Sequence, residues 1–313
     1  MWMEGSTSGV YRMWFQHMDI NRIPFYQYNT IIVGTGAAGL NAAVTLHKLG
    51  QKNIALITEG RYMGTSRNTG SDKQTYYKMT QCGSEPDSVR KMAKTLFEGG
   101  CVDGDIAMAE AAGSLRAFYH LVDIGVPFPF NKSGEYVGYK TDHDPLKRGI
   151  SAGPLTSKYM TECLERQAEE RGIPFFDGYQ AVRLLTEEKD GEKRAAGIIA
   201  LNKQKAASPD ERYAVFSAVN IIWATGGEAG MYQASVYPVS QTGGMGVLLE
   251  AGAVAKNLTE SQFGIASVKH RWNLSGTFQQ CLPRYLSAEQ DGSHEREFLN
   301  DYFDTPRQLL TAI

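Results

Sequence analysis

The 313-residue chain has no apolar run near the roughly 20 residues that cross a bilayer, so a spanning helix is not expected. Its first residues lack a basic stretch followed by an apolar one, the pattern of a secretory leader. An excess of charge of one sign is also missing. The formal net charge is −2, which excludes the strongly basic surface of a nucleic-acid or anionic-membrane binder. Cysteine is sparse: Cys82, Cys101, Cys163 and Cys281 are scattered without metal-ligand spacing. They read as free thiols in a reducing cytoplasm, and the expected location is cytoplasmic. The six histidines are equally dispersed and build no HExxH-type metal site. Disulfide scaffolds, zinc hydrolases and nucleic-acid binders are therefore poor readings of this chain.

Glycine is not scarce, and its placement is informative. Gly34-Thr-Gly-Ala-Ala-Gly39 follows an apolar strand, Thr30-Ile-Ile-Val33, and opens a helical stretch from Ala37 to Leu49. This is the dinucleotide fingerprint between a strand and a helix. Gly34 allows the tight turn, Gly36 lets backbone N–H groups approach a pyrophosphate, and Gly39 lets helix and strand pack closely. The phosphates then lie at a helix N-terminus, where the dipole favours negative charge. A second apolar strand, Asn53-Ile-Ala-Leu-Ile57, leads to Glu59, a carboxylate placed for ribose hydroxyls. Leu40, Val44, Leu46 and Leu49 give the intervening helix an apolar face, and Gly50 suits its C-terminal cap.

The rest of the chain divides by period. Residues 1–27 form an N-terminal arm without clear periodicity, whose Trp2, Trp14, Phe15, Phe25 and Tyr26 are expected to pack. Residues 61–81 are a polar loop rich in Gly, Ser, Thr and Asn. Helices are expected near 86–100, 105–124 and 154–171; Met108, Ala112, Leu115, Phe118 and Leu121 line the second. Residues 126–155 read as loop. The period then changes to two: Ala181–Glu187 and Ala195–Leu201 are strands joined across Asp190-Gly191. Arg212–Ala218 reads as a third strand and Val219–Ala224 as a fourth, ending in Thr225-Gly-Gly227. A loop and helix follow over 241–253, and a last helix begins near Pro306.

With these parts in order, the chain resembles the flavoprotein family of succinate dehydrogenase, fumarate reductase and L-aspartate oxidase. The likeness rests on Gly34-Thr-Gly-Ala-Ala-Gly-Leu-Asn-Ala-Ala43, Ala224-Thr-Gly-Gly227 and Leu249-Glu-Ala-Gly-Ala253. It implies an α/β fold: an FAD-binding Rossmann-like parallel sheet flanked by helices, with a β-meander and an incomplete α+β capping domain. The implied organisation is the arm at 1–27, an FAD-binding domain at 28–253 and the start of a cap at 254–313. The family chain is longer, so this one is expected to match its N-terminal portion. The resemblance further implies that Gly34, Gly36, Ala37, Ala38, Gly39, Glu59 and Gly60 hold the ADP half of FAD. Thr65 and Ser66 would lie beside the flavin-side phosphate and ring, Ala181 would meet adenine through its backbone, and Thr225 and Gly226 would close over the cofactor.

Departures from the family pattern matter as much. Some members bind FAD covalently through a histidine in the polar loop; Ser66 falls there, so non-covalent FAD is expected. The family's Gly-Asp-Gly becomes Thr242-Gly243-Gly244, and its Gln-Phe-His-Pro-Thr becomes Gln262-Phe-Gly-Ile-Ala266, with Gly264 in place of the histidine. The family's proton-delivering arginine falls at Gln280, leaving Arg271 and Arg284 as stand-ins. No catalytic residue is therefore assigned.

In such a protein the cofactor performs hydride chemistry, and the chain orients it and moves a proton. The implied function is an FAD-dependent oxidoreductase acting on a small anionic substrate, with an electron-transfer partner a further candidate. Guanidinium groups suit carboxylates, so Lys147-Arg148 and Lys269-His-Arg271-Trp-Asn273 are candidate clamps, each also readable as solvated surface charge. His143, between Asp142 and Asp144, reads as an exposed loop residue. Rival readings are an L-aspartate-oxidase-like amine oxidase, a nicotinamide-dependent dehydrogenase and a flavin-binding subunit without its own turnover.

Overall fold

A computed structural model describes residues 23–70, 74–100, 102–141, 144–227, 243–258 and 283–312. In chain order the elements are β1 (Phe25–Val33), α1 (Ala37–Lys48), β2 (Ile54–Thr58), α2 (Thr65–Asn68), β3 (Tyr76–Tyr77), α3 (Val89–Glu98), α4 (Gly104–Asp123), β4 (Gly149–Ile150), α5 (Thr156–Glu170), β5 (Phe175–Asp177), β6 (Tyr179–Lys189), β7 (Glu192–Asn202), β8 (Tyr213–Trp223), α6 (Met245–Glu250) and α7 (Pro306–Ala312). They fall into two compact units. The first comprises Met1–Thr69, Asp123–Val126 and Ser157–Lys256; the second comprises Gly70–Val122, Pro127–Thr156 and Asn257–Ile313.

The first unit is built on a six-stranded sheet of order β5-β2-β1-β8-β7-β6. Its β5-β2-β1-β8 half is parallel, and β8-β7-β6 is antiparallel. Every residue of β2 is buried, as are the last four of β1, the continuous apolar pattern of central parallel strands. Thr30 to Val33 stand in register with Ile54 to Ile57. On the meander side, Ile31, Val33, Ile57, Ile198 and Phe216 form one core cluster. Tyr26 stacks on Phe216 at 4.9 Å between ring centroids, and Phe176 meets both edge-on.

Helix α1 buries Gly39, Leu40, Ala43 and Val44, whereas Leu49 is exposed. The expected face thus shifts towards the small residues, because an alanine- and glycine-lined helix approaches the sheet more closely than a leucine-lined one. The helix ends as expected: Gly50 has φ 98°, and the N–H of Gln51 donates to Leu46 O at 3.0 Å. The hairpin turn between β6 and β7 is equally clear, with Asp190 and Gly191 at φ 56° and 78°.

Three expectations need correction. The strands expected at Arg212–Ala218 and Val219–Ala224 are one, β8: its first part, Tyr213 to Ser217, pairs with β7, and Val215 to Trp223 runs along β1. Alternating burial gives way to an apolar run where the β7 pairing ends, and that change of neighbours imitates a break. β1 begins at Phe25, inside the expected arm, with Phe25 paired to Val215. Tyr26 packs but Phe25 is exposed; Trp2, Trp14 and Phe15 lie outside the described residues. β5 was not expected at all, since three residues carry too little periodicity.

The second unit packs α3 against α4 through Met92, Ala93, Ala107 and Ala111. The buried stripe of α4 is Ala107, Ala111, Ser114, Phe118 and Leu121, and Met108 is exposed. Small residues again take the close contact. The short strands β3 and β4 pair antiparallel within segments expected as loop. Towards the C-terminus a 3-10 turn (Phe298–Asp301) precedes α7. Among the described residues no helix is long and apolar enough to cross a membrane, and no cluster of residues suits a metal ion. Cys82 and Cys163 are free thiols; Cys101 and Cys281 lie outside the described residues.

Candidate dinucleotide-binding site

The glycine turn joins β1 to α1, and each glycine has a separate steric reason. Gly34 has φ 109°, and a Cβ there would lie 2.3 Å from the Ala224 carbonyl oxygen. The end of β8 therefore crosses directly against the turn, held by the Ala224 N–H donating to Val33 O at 2.7 Å. A Cβ on Gly39 would lie 2.1 Å from Gly34 O, so α1 sits down on the turn that starts it. Gly36 differs: its Cβ would meet only the Ser66 hydroxyl, at 3.3 Å. Backbone closes around Gly34 and Gly39, while Gly36 faces only a side-chain hydroxyl.

Helix α1 begins without a side-chain cap from Gly36 and without an acidic residue in its first turn. Ala37 is half-buried and Ala38 exposed. A helix start with no cap of its own and no carboxylate in its first turn fits a pyrophosphate. Ser66 reaches this point from α2, its Oγ accepting the Ala37 N–H at 3.3 Å. A hydroxyl that accepts from the helix retains its own O–H to donate to a phosphate oxygen. Thr65 shares this turn, its carbonyl accepting the Thr69 N–H at 3.1 Å. Thr35, inside the fingerprint, is buried and donates to Thr58 Oγ1 at 3.0 Å, fixing the turn to the end of β2.

Glu59 follows β2 where a ribose carboxylate is expected, and its Oε1 accepts from Lys203 Nζ at 2.8 Å. Nothing in the sequence linked Lys203 to this carboxylate, because the contact spans 144 residues. Gly60 packs on Met63, whose sulfur a Cβ would meet at 2.2 Å. Ala181 pairs with Ala200, and the β6–β7 register shifts immediately after it. A bulge frees backbone groups from the ladder, as an edge-on contact to a base requires.

Thr225 and Gly226 continue from β8, with Gly226 at φ 80°. Two polar atoms here are buried without a hydrogen-bond partner: Thr225 Oγ1 and Trp223 Nε1. Both lie against Gly244, whose Cβ would fall 2.8 Å from the former and 2.9 Å from the latter. Gly243 has φ 74°. An aspartate at 243 would be strained in this left-handed conformation, and any side chain at 244 would collide with Trp223 and Thr225.

The candidate substrate clamp at Lys147-Arg148 is corrected. Arg148 is fully buried. Its Nε and Nη2 donate to Asp87 at 2.9 and 2.8 Å, and its Nη1 donates to Thr95 Oγ1 at 2.9 Å and Tyr77 OH at 3.1 Å. Burial alone would lower its pKa, but Asp87 and Tyr77 outweigh that and raise it. Burial, aided by Asp144, pushes Tyr77 up to about 12. This guanidinium is committed to its own unit. Arg284 is exposed and pairs with Glu297, Nε to Oε1 at 2.7 Å. His143, Gly264, Gln280 and Lys269 to Asn273, Arg271 included, lie outside the described residues.

A family model described as "FAD binding domain" matches residues 29–283. An L-aspartate oxidase of Agrobacterium fabrum is 28% identical over 75% of this chain and 42% of its own. The 8-methylmenaquinol:fumarate reductase flavoprotein subunit of Wolinella succinogenes is 27% identical over 85% of this chain and 42% of its own. The chain thus spans less than half the length of these relatives. Among solved structures, the open conformation of a flavocytochrome c3 fumarate reductase shares the fold with a TM-score of 0.67, at 18% identity, covering 92% of this chain and 50% of that one. Its cofactor is FAD, and the chain belongs to the FAD binding domain family, with L-aspartate oxidases and the flavoprotein subunits of fumarate reductase and succinate dehydrogenase among its relatives.

Proposed function

We propose that this protein is an FAD-dependent oxidoreductase that moves hydride to or from a small anionic substrate. The observation that carries the reading is the fingerprint turn itself. The end of β8 closes on Gly34 while Gly36 and the start of α1 stay open beside Ser66. Bound FAD supplies the hydride acceptor and donor. Gly36 and Ala38 offer backbone N–H groups to the pyrophosphate, and Ala37 acts through Ser66, whose hydroxyl accepts its N–H and donates to the phosphate. Glu59, oriented by Lys203, holds the ribose. Ala181 meets the adenine, and Thr225 and Gly226 cover the cofactor.

Ser66 stands where some relatives carry the histidine that binds FAD covalently, and residues 61–69 contain no histidine. Attachment is therefore non-covalent. Acid precipitation of the purified protein is expected to release FAD into a yellow supernatant; flavin retained in the pellet would overturn this. With Gly264 and Gln280 in place of the fumarate-binding and proton-delivering groups, fumarate is expected to be a poor substrate. Loss of two charge-assisted contacts of about 1.5–3 kcal/mol each slows turnover on the order of a hundredfold or more. Reoxidation of dithionite-reduced protein by fumarate, followed by stopped flow, tests this. A second reading, an amine oxidase, is favoured by the L-aspartate oxidase relatives; ammonia and peroxide among the products would select it. The electron partner is proposed as a separate subunit, because relatives are named as flavoprotein subunits.

A further inference from the structure

Ser66 lies on α2, a single helical turn of four residues, Thr65–Asn68. So short a helix has no stability of its own, and its position is imposed by tertiary contacts. The arginines on either side of Thr65-Ser66 supply them. Arg61 Nε donates to Glu165 Oε1 at 2.5 Å, and Arg67 Nη2 donates to the other oxygen of the same carboxylate. Arg61 also pairs with Glu169, and Arg67 Nη1 lies 3.6 Å from Glu162. These glutamates share one face of α5, and Glu165, between the two guanidiniums, is itself buried. The Arg61 N–H is fixed as well, to Asp177 Oδ1 at 2.8 Å, and its guanidinium lies 4.1 Å from the centre of the Phe175 ring.

We propose that Glu165 is a positioning residue for the cofactor: by bridging Arg61 and Arg67 it holds Ser66 at the N-terminus of α1, where Ser66 meets the FAD pyrophosphate. The proposal rests on FAD occupying the glycine turn. Two flexible arginines beside a phosphate site would ordinarily seek the phosphate directly. Here both are committed to α5, so they act as struts, and the phosphate contact is left to a hydroxyl of fixed position. The charge sits where it fixes backbone geometry, not where it touches the ligand.

The test is a double-mutant cycle on FAD affinity in the full chain, read by flavin fluorescence during titration of apoprotein. Ser66→Ala is expected to raise Kd about tenfold, as loss of one hydrogen bond to a charged group does. Glu165→Gln is expected to raise it by a similar factor. If Glu165 acts through Ser66, the double variant is no worse than twofold beyond either single one. Multiplied effects near a hundredfold would show independent roles and overturn the proposal, as would an unchanged Kd in Glu165→Gln or in Ser66→Ala. Near-UV circular dichroism checks folding; should Glu165→Gln lose its native signal, Arg67→Lys, which keeps the charge but loses the fork, enters the same cycle with the same criterion. Wild-type protein that binds no FAD, or Gly36→Ala that binds it normally, would instead refute the binding site itself.

Discussion

In the second unit Arg148 is sealed: Asp87, Thr95, Tyr77 and Asp144 surround its guanidinium, and none of it reaches solvent. In the first unit Arg61 and Arg67 meet Glu162, Glu165 and Glu169 at a partly exposed seam, and Arg67 Nε is buried without an acceptor. Both pair arginine with carboxylates, but the settings differ. A buried cation with a partner at every nitrogen specifies one packing arrangement and is committed to it. An incompletely satisfied network on a short loop can serve a neighbouring site, because its geometry decides where the loop's polar groups stand. Buried ion pairs are weak sources of net stability, yet breaking one from a single side is costly.

That contrast is broken most severely at Arg148. Arg148→Met leaves Asp87 buried and unpaired, and it is expected to destabilise the chain by about 3–5 kcal/mol in urea titration. A loss below about 1 kcal/mol would return Arg148 to the role of a ligand-ready cation.

The glycine turn sharpens the difference between fold and site. Gly34→Ala adds a methyl group in a left-handed position against the Ala224 carbonyl. It is expected to cost about 1–3 kcal/mol of apoprotein stability and to abolish FAD binding. Gly36→Ala meets only the Ser66 hydroxyl. Its apoprotein should stay within about 1 kcal/mol of wild type, the cost of a small steric adjustment, while FAD occupancy falls sharply. Calorimetry of both apoproteins, with flavin content alongside, separates the two; equal destabilisation would mean that Gly36 serves packing as well.

The finest test is acid. Burial would raise the Asp87 pKa, but the Arg148 hydrogen bonds outweigh it and hold the carboxylate below its usual value. A depressed folded pKa contributes stability that is present above the unfolded value of about 3.9 and is lost as pH falls through the folded one. Unfolding free energy measured from pH 5 downward should therefore fall less steeply in Asp87→Asn than in wild type. Parallel slopes would show that Arg148 leaves Asp87 unshifted.

The FAD turn was legible in the sequence because its determinants are local. Three glycines, a strand before and a helix after specify backbone geometry that few sequences satisfy, and Gly34 takes the tight turn and Gly39 the close helix packing expected of them. The Asp190-Gly191 hairpin was legible for the same reason. Helix faces are less legible, because side-chain size is a poor guide to burial here: Met108 and Leu49 are exposed, while Ala107 and Ala43 are buried. The continuity of β8 was hidden because its pattern follows changing neighbours along its length.

What the sequence by itself determined is the α/β order of elements, the glycine turn with its following carboxylate, and through them a nucleotide-binding fold: short-range backbone chemistry and periodicity carry all three. Only the tertiary structure decided which charges meet which partners. Arg148 is withdrawn into its own unit, Lys203 is brought to Glu59 across 144 residues, and Glu165 is brought to Arg61 across 104. No local pattern encodes such pairings, because a charged side chain finds its partner only after the sheet and helices have set the distances between them.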